Sequence, residues 1–437
     1  MDDIYGKRTT ILIENVTTGS GQVDIYIDSG GSIGDIGAGI GAKYRSSAEF
    51  VLDGTKKIAL PGLVNTHNHA AMTLLRGYAD DMPLQEWLSE KIWPLEANLT
   101  GEDVYWGTKL GCLEMIKSGT VAFKDMYFFM EDAARAVDEM GMRANLAYGF
   151  IDLFSPEKRE EEIATTKKFV HAIKSMKNPR IKPSVGPHAI YTVSKESLCW
   201  LAEFSRDEGI GIHVHLSETE KEVDDAVSQW GKRPPAILDE AGLLTERTVA
   251  AHCCWLSREE CMLLGKRGVC VSHNPVSNMK LATNRAMPYH WLKEAGVNVC
   301  FGTDGCASNN NLDLFEEMKT GAILQKFYWN SQTLLPADEA LAMATSGGAR
   351  ALRLNTGKLE KGRPADIILL DRDIACNTPF HNLASNVVYA CGGHAVNTVI
   401  CDGRVLMKER IVPGEETIIR EAALTSERLV ERAASET

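Results

Sequence analysis

The sequence predicts an α/β protein in which a (β/α)8 barrel of the TIM type carries a small β-sandwich formed by both termini. Short apolar runs rich in β-branched residues alternate with longer stretches of helical period, which is typical of repeated βα units. There are eight such runs, the number that closes a barrel. The two ends of the chain instead show short alternating strands broken by glycine clusters.

Each predicted barrel strand is a short apolar run between helical stretches. Two of these helices carry clear end signals. Ser194 precedes one and Gly209 follows it, and Ser257 and Glu260 have the spacing of a capping box at the start of another. The predicted strands are residues 58–64, 120–123, 144–150, 181–185, 210–216, 248–251, 269–272 and 297–301.

These elements divide the chain into three segments. We expect residues 1–57 to form the first part of the sandwich, residues 58–356 the catalytic barrel, and residues 357–437 the second part of the sandwich with a C-terminal helix. A barrel of about 250 residues or more folds as one unit. The 437 residues therefore predict one large barrel and one small domain.

Composition excludes several kinds of partner. The chain has 47 Lys and Arg residues against 59 Asp and Glu residues, a formal net charge of −12. Nucleic acids and anionic membrane surfaces bind basic proteins, so we expect neither as a partner. No apolar run approaches the ~20 residues of a membrane span. The 11 cysteines never form CxxC, which predicts reduced thiols and a cytoplasmic protein.

Polar side chains follow most of the predicted barrel strands at the point where each strand ends. In a (β/α)8 barrel these carboxyl ends meet at one mouth, which is where active sites lie. The sequence therefore predicts an active site at this mouth. The residues concerned are His67, His69, His188, His213, His215, Glu218, His252, His273, Asn274 and Asp304.

Four of these residues form a candidate metal site. His67 and His69 are two positions apart, so on a strand both imidazoles point to the same face and can bind one ion. With His215 and Asp304 they provide three imidazoles and one carboxylate, a set suited to zinc, iron or another first-row divalent ion. His213 has the same spacing from His215. It either competes for the ligand role or is a hydrogen-bonded histidine of the barrel interior.

Glu218 follows His215 by three residues, where a carboxylate can reach an attacking water or a substrate nitrogen. An acid at a helix N-terminus is the alternative interpretation. No lysine stands at the end of the fourth predicted strand, where barrels with two ions commonly carry a bridging lysine, so we expect one ion per subunit. The PCxxC signature of cytidine-type deaminases is also missing.

Five segments closely resemble the amidohydrolase superfamily: PGLVNTHNH, VHLSETEKEV, AHCCWL, VSHNPVSNMKLA and FGTDGCASNNNLDLFEEM. Within it, the chain resembles the deaminases of S-adenosylhomocysteine, methylthioadenosine and related 5′-modified adenosines. The resemblance covers nearly the whole chain, including the terminal segment GKLEKGRPADIILLD. It implies a metal-dependent hydrolase barrel that converts the adenine ring to the inosine analogue and releases ammonia.

The resemblance assigns His67, His69, His215 and Asp304 as ligands of one divalent ion per subunit. Zinc is the expected ion, and iron, manganese, nickel and cobalt are the alternatives. An ion of this kind lowers the pKa of bound water towards ~7 and provides hydroxide as the nucleophile.

The resemblance also implies the roles of the remaining site residues. Glu218 matches the carboxylate that contacts the purine and donates a proton to N1, while His252 and Asp304 orient the attacking water or take its proton. Glu96 matches a glutamate that holds the ribose hydroxyls, and His188 matches another substrate contact.

One loop departs from the family pattern. In members that use S-adenosylhomocysteine, arginines after the third strand can bind the homocysteine carboxylate. Tyr148 aligns with one such position, and Arg159 is a candidate for a second arginine. A substrate with a short, uncharged 5′ group, such as 5′-deoxyadenosine or methylthioadenosine, is therefore favoured. S-adenosylhomocysteine and adenosine are further candidates.

Two alternatives stay open. An aminohydrolase of another base, such as guanine, 8-oxoguanine or a triazine, would use the same metal ligands. A metal-free scaffold of the amidohydrolase type is the non-enzymatic alternative, and the intact ligand set argues against it. We further expect a cytoplasmic homo-oligomer that takes a small nucleoside and acts in the salvage of S-adenosylmethionine by-products.

Overall fold

The computed structural model describes residues 4–82 and 84–435, and the strands of this part of the chain form two sheets. One sheet is the barrel, and the other combines strands from both ends of the chain. The strands are β1 (Ile11–Thr18), β2 (Gly21–Ile27), β3 (Ile33–Gly37), β4 (Phe50–Asp53), β5 (Lys57–Pro61), β6 (Leu63–Asn68), β7 (Thr120–Tyr127), β8 (Arg143–Phe150), β9 (Ile181–Pro187), β10 (Gly211–Leu216), β11 (Thr248–His252), β12 (Cys270–His273), β13 (Asn298–Phe301), β14 (Ile367–Asp371), β15 (Val396–Cys401) and β16 (Arg404–Met407).

The strands β6 to β13 lie side by side in chain order, and every neighbouring pair is parallel. The first and last of them come together where the backbone N–H groups of Thr303 and Asp304 both donate to the carbonyl of His67, at 3.1 Å. This confirms the predicted barrel. All eight carboxyl ends therefore meet at one mouth.

Helices cover the outside of the barrel and connect its strands. Shorter helical turns at Ala70–Leu75, Leu88–Ile92, Met343–Gly347, Ala375–Asn377, Asn386–Ala390 and Gly393–Ala395 lie between them. The α-helices are α1 (Gly41–Tyr44), α2 (Leu84–Trp87), α3 (Trp93–Glu96), α4 (Gly101–Lys117), α5 (Met130–Met140), α6 (Pro156–Ser175), α7 (Lys195–Glu208), α8 (Glu220–Trp230), α9 (Pro234–Glu240), α10 (Arg258–Arg267), α11 (Pro275–Lys280), α12 (Tyr289–Glu294), α13 (Leu314–Tyr328), α14 (Ala337–Ala342), α15 (Gly348–Ala351), α16 (Leu383–Ser385) and α17 (Glu415–Ser435).

The helix ends predicted from the sequence are confirmed. Ser194 caps α7, and Gly209 ends it in the left-handed conformation at φ +66°. Ser257 and Glu260 form the reciprocal hydrogen bonds of a capping box at the start of α10. Among the described helices, none combines the length and the apolar character needed to cross a membrane.

The second sheet, which we call the terminal sheet, joins the two ends of the chain. Strand β5 pairs with β1 from its own end and antiparallel with β14 from the other end. Successive side chains point to opposite faces of a strand. Ile367 and Leu369 therefore join an apolar cluster within the terminal sheet, while Ile368 and Leu370 pack into the barrel core. Both ends thus form one β-rich unit against the barrel, as predicted.

One predicted strand is divided between the two sheets. The sequence predicts a single strand over residues 58–64, but β5 lies in the terminal sheet and β6 begins the barrel. Pro61 and Gly62 separate them, since proline has no N–H to extend a ladder. A Cβ at Gly62 would lie 2.4 Å from the Val121 side chain, so glycine is required where the chain crosses β7. Both strands are buried, and the apolar run therefore continues across the break.

Candidate active site

Four predicted side chains converge at the carboxyl mouth of the barrel. The Nε2 atoms of His67 and His69 each lie 3.3 Å from Asp304 Oδ1. The Nε2 atoms of His69 and His215 are 3.4 Å apart. His67 lies on β6 and His69 directly follows it, His215 lies on β10, and Asp304 follows β13. The structure therefore brings together residues from opposite parts of the sequence at one point.

The second ring nitrogen of each histidine is held by the barrel. His69 and His215 donate from Nδ1 to backbone carbonyls at 2.6 and 2.8 Å, which leaves their Nε2 atoms unprotonated in the neutral ring. His67 Nδ1 is hydrogen-bonded to His213 Nε2 at 2.8 Å. His213 thus lies beside the site and supports the orientation of a candidate ligand.

These atoms fit a metal ion. His67 Nε2 is buried and has no hydrogen-bond partner among the described residues. The candidate ligand atoms of His67, His69 and Asp304 lie within 4.8 Å of one another, as do those of His67, His215 and His252. Buried imidazole nitrogens and a carboxylate converging in this way are suited to a divalent first-row ion.

Asp304 is held in place by its neighbours. Its Oδ2 accepts hydrogen bonds from the hydroxyls of Ser277 and Ser308 at 2.7 and 3.1 Å, and its Oδ1 accepts from the Gly305 N–H at 2.8 Å. The backbone of Asp304 is left-handed at φ +63°, a strained conformation for a residue with a side chain. Strain of this kind clusters at functional sites, and His252 shows it as well, at φ +71°.

Glu218 lies next to the convergent histidines. Its Oε1 is 3.7 Å from His252 Nδ1. Burial, assisted by the negative charge of Asp304, raises the pKa of Glu218 to about 8. The group is therefore protonated near neutral pH and can donate its proton to a bound molecule.

His252 presents a hydrogen-bond donor to the same space. The side-chain amide of Asn278 donates to His252 Nδ1 at 2.9 Å, and Asn274 lies 3.3 Å from the same atom. Burial lowers the pKa of His252 to about 4, so the ring is neutral. A neutral imidazole that accepts at Nδ1 carries its proton on Nε2. The ring of His252, with its proton on Nε2, lies 5.1 Å from the ring of His67 and 5.4 Å from the ring of His215, measured between centroids.

Glu222 was not singled out from the sequence, yet it fixes the position of Glu218. Its Oε1 accepts from the Ser217 N–H at 3.0 Å and its Oε2 from the Glu218 N–H at 2.8 Å. Ser217 is left-handed at φ +49°, so the chain turns sharply between β10 and α8. The position of Glu222, four residues after Glu218 and in the first turn of a helix, is the signal that could have identified it.

An inner chamber surrounds these groups and adjoins an outer chamber of about 600 Å³. Glu96 and His188 line both chambers. His188 Nδ1 is hydrogen-bonded to the Thr192 hydroxyl at 2.9 Å, and burial lowers the pKa of His188 to about 3. Burial raises the pKa of Glu96 to about 7. Two hydrogen-bonding side chains thus stand at the passage between the chambers.

The structure does not bring Arg159 to this site. Arg159 lies on α6, outside the lining of both chambers, whereas Lys158 and Lys168 of the same helix line the outer one. Neighbouring residues on a helix point about 100° apart, so a single position decides which side chain faces the chamber. Tyr148 also lines the outer chamber, and its hydroxyl donates to Glu162 at 3.3 Å.

An eight-stranded parallel barrel with imidazole and carboxylate groups converging at its carboxyl mouth defines a barrel enzyme with a candidate metal centre. Residues 58–406 match the model of the amidohydrolase family, which is more than half of the chain. The chain therefore belongs to the amidohydrolase family.

Known proteins resemble it over nearly its full length. A 5′-deoxyadenosine deaminase of Methanoregula boonei is 63% identical over 431 residues, which cover 99% of this chain and 98% of that protein. A 5-methylthioadenosine/S-adenosylhomocysteine deaminase of Archaeoglobus fulgidus is 47% identical, covering 89% and 92%. The crystal structure of an adenosine deaminase from Xanthomonas campestris with bound zinc matches at a TM-score of 0.91 with 34% identity, covering 97% and 99%.

Proposed function

We propose that the chain is a metal-dependent deaminase of 5′-modified adenosines, with zinc as its ion and 5′-deoxyadenosine as its preferred substrate. The observation that carries the proposal is the position of the protonated Glu218 beside three convergent histidines and Asp304 in one inner chamber. Relatives that are 63% and 47% identical are deaminases of 5′-modified adenosines, and the 34% identical structure contains zinc.

We assign His67, His69, His215 and Asp304 as the ligands of one ion per subunit. When bound, a divalent ion acts as a Lewis acid that makes hydroxide available near neutral pH. The fixed Nδ1 atoms of the histidines hold their Nε2 atoms toward the ion.

The remaining groups move protons. Glu218 donates its proton to purine N1, which makes C6 more electrophilic. His252 donates from Nε2 to the attacking water and orients it, and Asp304 takes a proton from that water. The water oxygen bonds to C6, which becomes tetrahedral. Asp304 passes the proton it took to the amino group, the C6–N bond breaks and ammonia leaves, while the hydroxyl proton on C6 returns to the Glu218 carboxylate as the carbonyl forms.

The chambers support the choice of substrate. We assign Glu96 and His188 at the passage to the ribose hydroxyls, so that the base lies in the inner chamber and the 5′ group in the outer one. Phe128, Ile151 and Leu153 give the outer chamber apolar walls that suit an uncharged 5′ group. Lys158 and Lys168 also line it, which keeps S-adenosylhomocysteine, with its carboxylate, as a second substrate.

A panel of substrates tests this function. Metal-loaded protein is incubated with 5′-deoxyadenosine, methylthioadenosine, adenosine and S-adenosylhomocysteine, and the change from adenine to hypoxanthine absorbance is followed. We expect the highest kcat/KM for 5′-deoxyadenosine, on the order of tenfold above S-adenosylhomocysteine. No reaction with any of the four would overturn the substrate class. Ammonia release from guanine, 8-oxoguanine or a triazine in its place would favour another aminohydrolase.

We also infer a cytoplasmic homo-oligomer that acts in the salvage of S-adenosylmethionine by-products. The cysteines support a reducing compartment, because all are free and most are buried. Size-exclusion chromatography with light scattering measures the number of subunits.

A further inference from the structure

A second cavity opens at the opposite mouth of the barrel, near the amino-terminal ends of β8 to β11. Its volume is about 450 Å³, which is the size of a small-molecule site. We call it the lower cavity. Its charged lining among the described residues is five cations and one carboxylate, namely Lys124, Lys174, Lys182, Arg247, Arg353 and Glu208.

Two of these cations have structural partners. Lys174 Nζ lies 2.5 Å from the Glu208 carboxylate and donates to the Glu208 carbonyl at 3.0 Å. This carbonyl ends α7, and cations commonly bind the last carbonyls of a helix. Arg353 lies 3.5 Å from Glu246 at the exposed rim. Helix ends and surface pairs therefore explain these two charges.

The other two cations at the opening are Lys182, which is exposed, and Arg247, which is half-buried. Neither Lys182 nor Arg247 forms a side-chain hydrogen bond or ion pair with any residue of 4–82 or 84–435. Burial lowers the pKa of Lys182, and the positive charges of Arg143 and Arg353 lower it further. Lys182, Arg247 and Arg353 thus line the same cavity, and Arg353 is close enough for its charge to act on Lys182.

A buried lysine forms the base of the cavity. Lys124, on β7, is only 1% exposed, and its Nζ donates to the Ser184 hydroxyl at 2.9 Å. Gly211 keeps the space beside it open, because a Cβ there would lie 3.6 Å from Lys124 Nζ and 2.9 Å from Ser184 Oγ. Burying an amine without a charged partner is costly. Burial lowers the pKa of Lys124 to about 7, and an anion in this space would favour the protonated amine and give it a charged partner.

We propose that the lower cavity binds a polyphosphate anion, of the kind carried by inorganic tripolyphosphate or by a nucleoside triphosphate. Ammonium and guanidinium groups are the side chains that bind phosphate oxygens. They extend here from Lys124 at the base to Arg353 at the rim, which suits a row of phosphoryl groups better than a single phosphate. The chain as a whole carries a net charge of −12, so this local excess of cations is not a general property of its surface.

Isothermal titration calorimetry tests the proposal on the metal-loaded protein, in salt of about 0.1 M so that surface charges are screened. The probes are inorganic phosphate, tripolyphosphate and cytidine triphosphate, which lacks the adenine base. We expect saturable binding of tripolyphosphate with one site per chain, and weaker binding of phosphate. Tighter binding of cytidine triphosphate than of tripolyphosphate would identify a nucleotide, and equal binding would identify the phosphate chain alone. The absence of saturable binding of either would overturn the proposal.

Charge reversal locates the site. Lys182→Glu together with Arg247→Glu should weaken tripolyphosphate binding by at least about tenfold, because two attractive charges become repulsive. Lys195→Glu together with Lys319→Glu makes the same change in net charge on exposed positions of α7 and α13 and should leave the affinity unchanged. Chelation of the metal ion by the probe would affect all proteins equally. Equal affinities in the three proteins, or equal losses in both variants, would contradict the site.

A second variant separates a loss of binding from a loss of the fold. Lys182→Gln together with Arg247→Gln removes the charges without adding repulsion. Far-ultraviolet circular dichroism and the melting temperature show whether each variant is folded. A folded neutral variant that binds tripolyphosphate as tightly as the wild type would overturn the proposal.

Discussion

The proton on each imidazole of the site is set by one neighbouring atom. His69 and His215 donate from Nδ1 to carbonyls, whereas His252 accepts at Nδ1 from Asn278. In their neutral forms the first two therefore present lone pairs at Nε2, whereas the third presents a proton. The backbone carbonyl or side-chain amide bound at Nδ1 therefore decides whether the histidine accepts or donates a hydrogen bond at Nε2.

Replacing Glu218 by glutamine tests its role as the proton donor. Glu218→Gln keeps the shape of the side chain but removes the acidic proton that N1 requires. We expect kcat for 5′-deoxyadenosine to fall by at least about 100-fold while one ion per chain is retained. Steady-state kinetics and elemental analysis measure the two quantities. A variant with near-normal kcat would contradict the assigned role.

Removing two histidines tests the metal site. His67→Ala together with His69→Ala deletes two of the four proposed ligands, and we expect the purified protein to lose stoichiometric metal and activity. His273→Ala is the matched control, because His273 is buried in the same barrel but lies beside Gln325, away from the convergent atoms. Elemental analysis of both proteins gives the result. Full metal retention in the double variant would reject the ligand set.

The spacing of the polar residues and their positions at strand ends predicted which side chains meet at the mouth of the barrel. The structure brings these side chains together. Their roles remain predictions. The position of Arg159 relative to the outer chamber was not predictable, since it depends on how α6 is rotated about its own axis. The contacts of Lys158 and Glu222 were not predicted from the sequence for a related reason. Their contacts depend on the exact start of a helix, which the sequence specifies least well.

At the scale of elements, helix α8 positions the catalytic turn. Thr219 caps the helix, and Glu222 in its first turn binds the N–H groups of Ser217 and Glu218. The end of β10 and the start of α8 are thus one hydrogen-bonded unit.

Apolar periodicity predicted both elements, but the split between β5 and β6 was not predictable, because Pro61 and Gly62 interrupt the strand without interrupting burial.

Removal of the Glu222 carboxylate should displace Glu218 without disturbing the metal. Glu222→Ala leaves two backbone N–H groups without their acceptor, so we expect kcat to fall by about tenfold or more with metal content unchanged. Glu222→Gln keeps one acceptor oxygen and should recover part of kcat. Glu220→Ala, an exposed acid in the same helical turn, is the control and should be neutral. Equal kcat in Glu222→Ala and Glu220→Ala would contradict the positioning role.

At the scale of the whole molecule, buried charges connect the barrel to the terminal sheet. Arg143, on β8, is hydrogen-bonded to Asp366 at 2.9 Å and to Asp402 at 2.8 Å. Arg8 and Arg404 also bind Asp402. Burial opposes ionisation of Asp402, but the charge of Arg143 and the hydrogen bonds from the two other arginines hold its pKa below the usual value. The two units are therefore fixed to each other by more than apolar packing.

Breaking this network should destabilise the fold in a pH-dependent way. Arg143→Met leaves the buried Asp366 without its arginine and removes one of the three arginines that bind Asp402, and we expect the free energy of unfolding to fall by about 3–5 kcal/mol. An aspartate whose pKa is lowered in the folded protein stabilises the fold at pH values above its ordinary pKa of about 3.9. This stabilisation is lost as the pH falls further. The difference between wild type and variant should therefore shrink in acid.

Urea unfolding at neutral and acidic pH measures this difference. Arg258→Met, which removes an exposed ion pair to Glu294, is the control and should cost less than about 1 kcal/mol at either pH. A loss in Arg143→Met that is no larger than in the control, or that grows in acid, would contradict the interpretation.

The pairing of β5 with β14 has a consequence for synthesis on the ribosome. Leu60 and Ile368 are partners in the ladder although they are about 300 residues apart in the chain. Translation proceeds from the N-terminus, so β5 leaves the ribosome long before β14. The edge of β5 that pairs with β14 stays unpaired while the barrel forms. Contacts of such long sequence separation form slowly. Nascent chains stalled before residue 367 should therefore expose a strand edge that other chains or chaperones can bind.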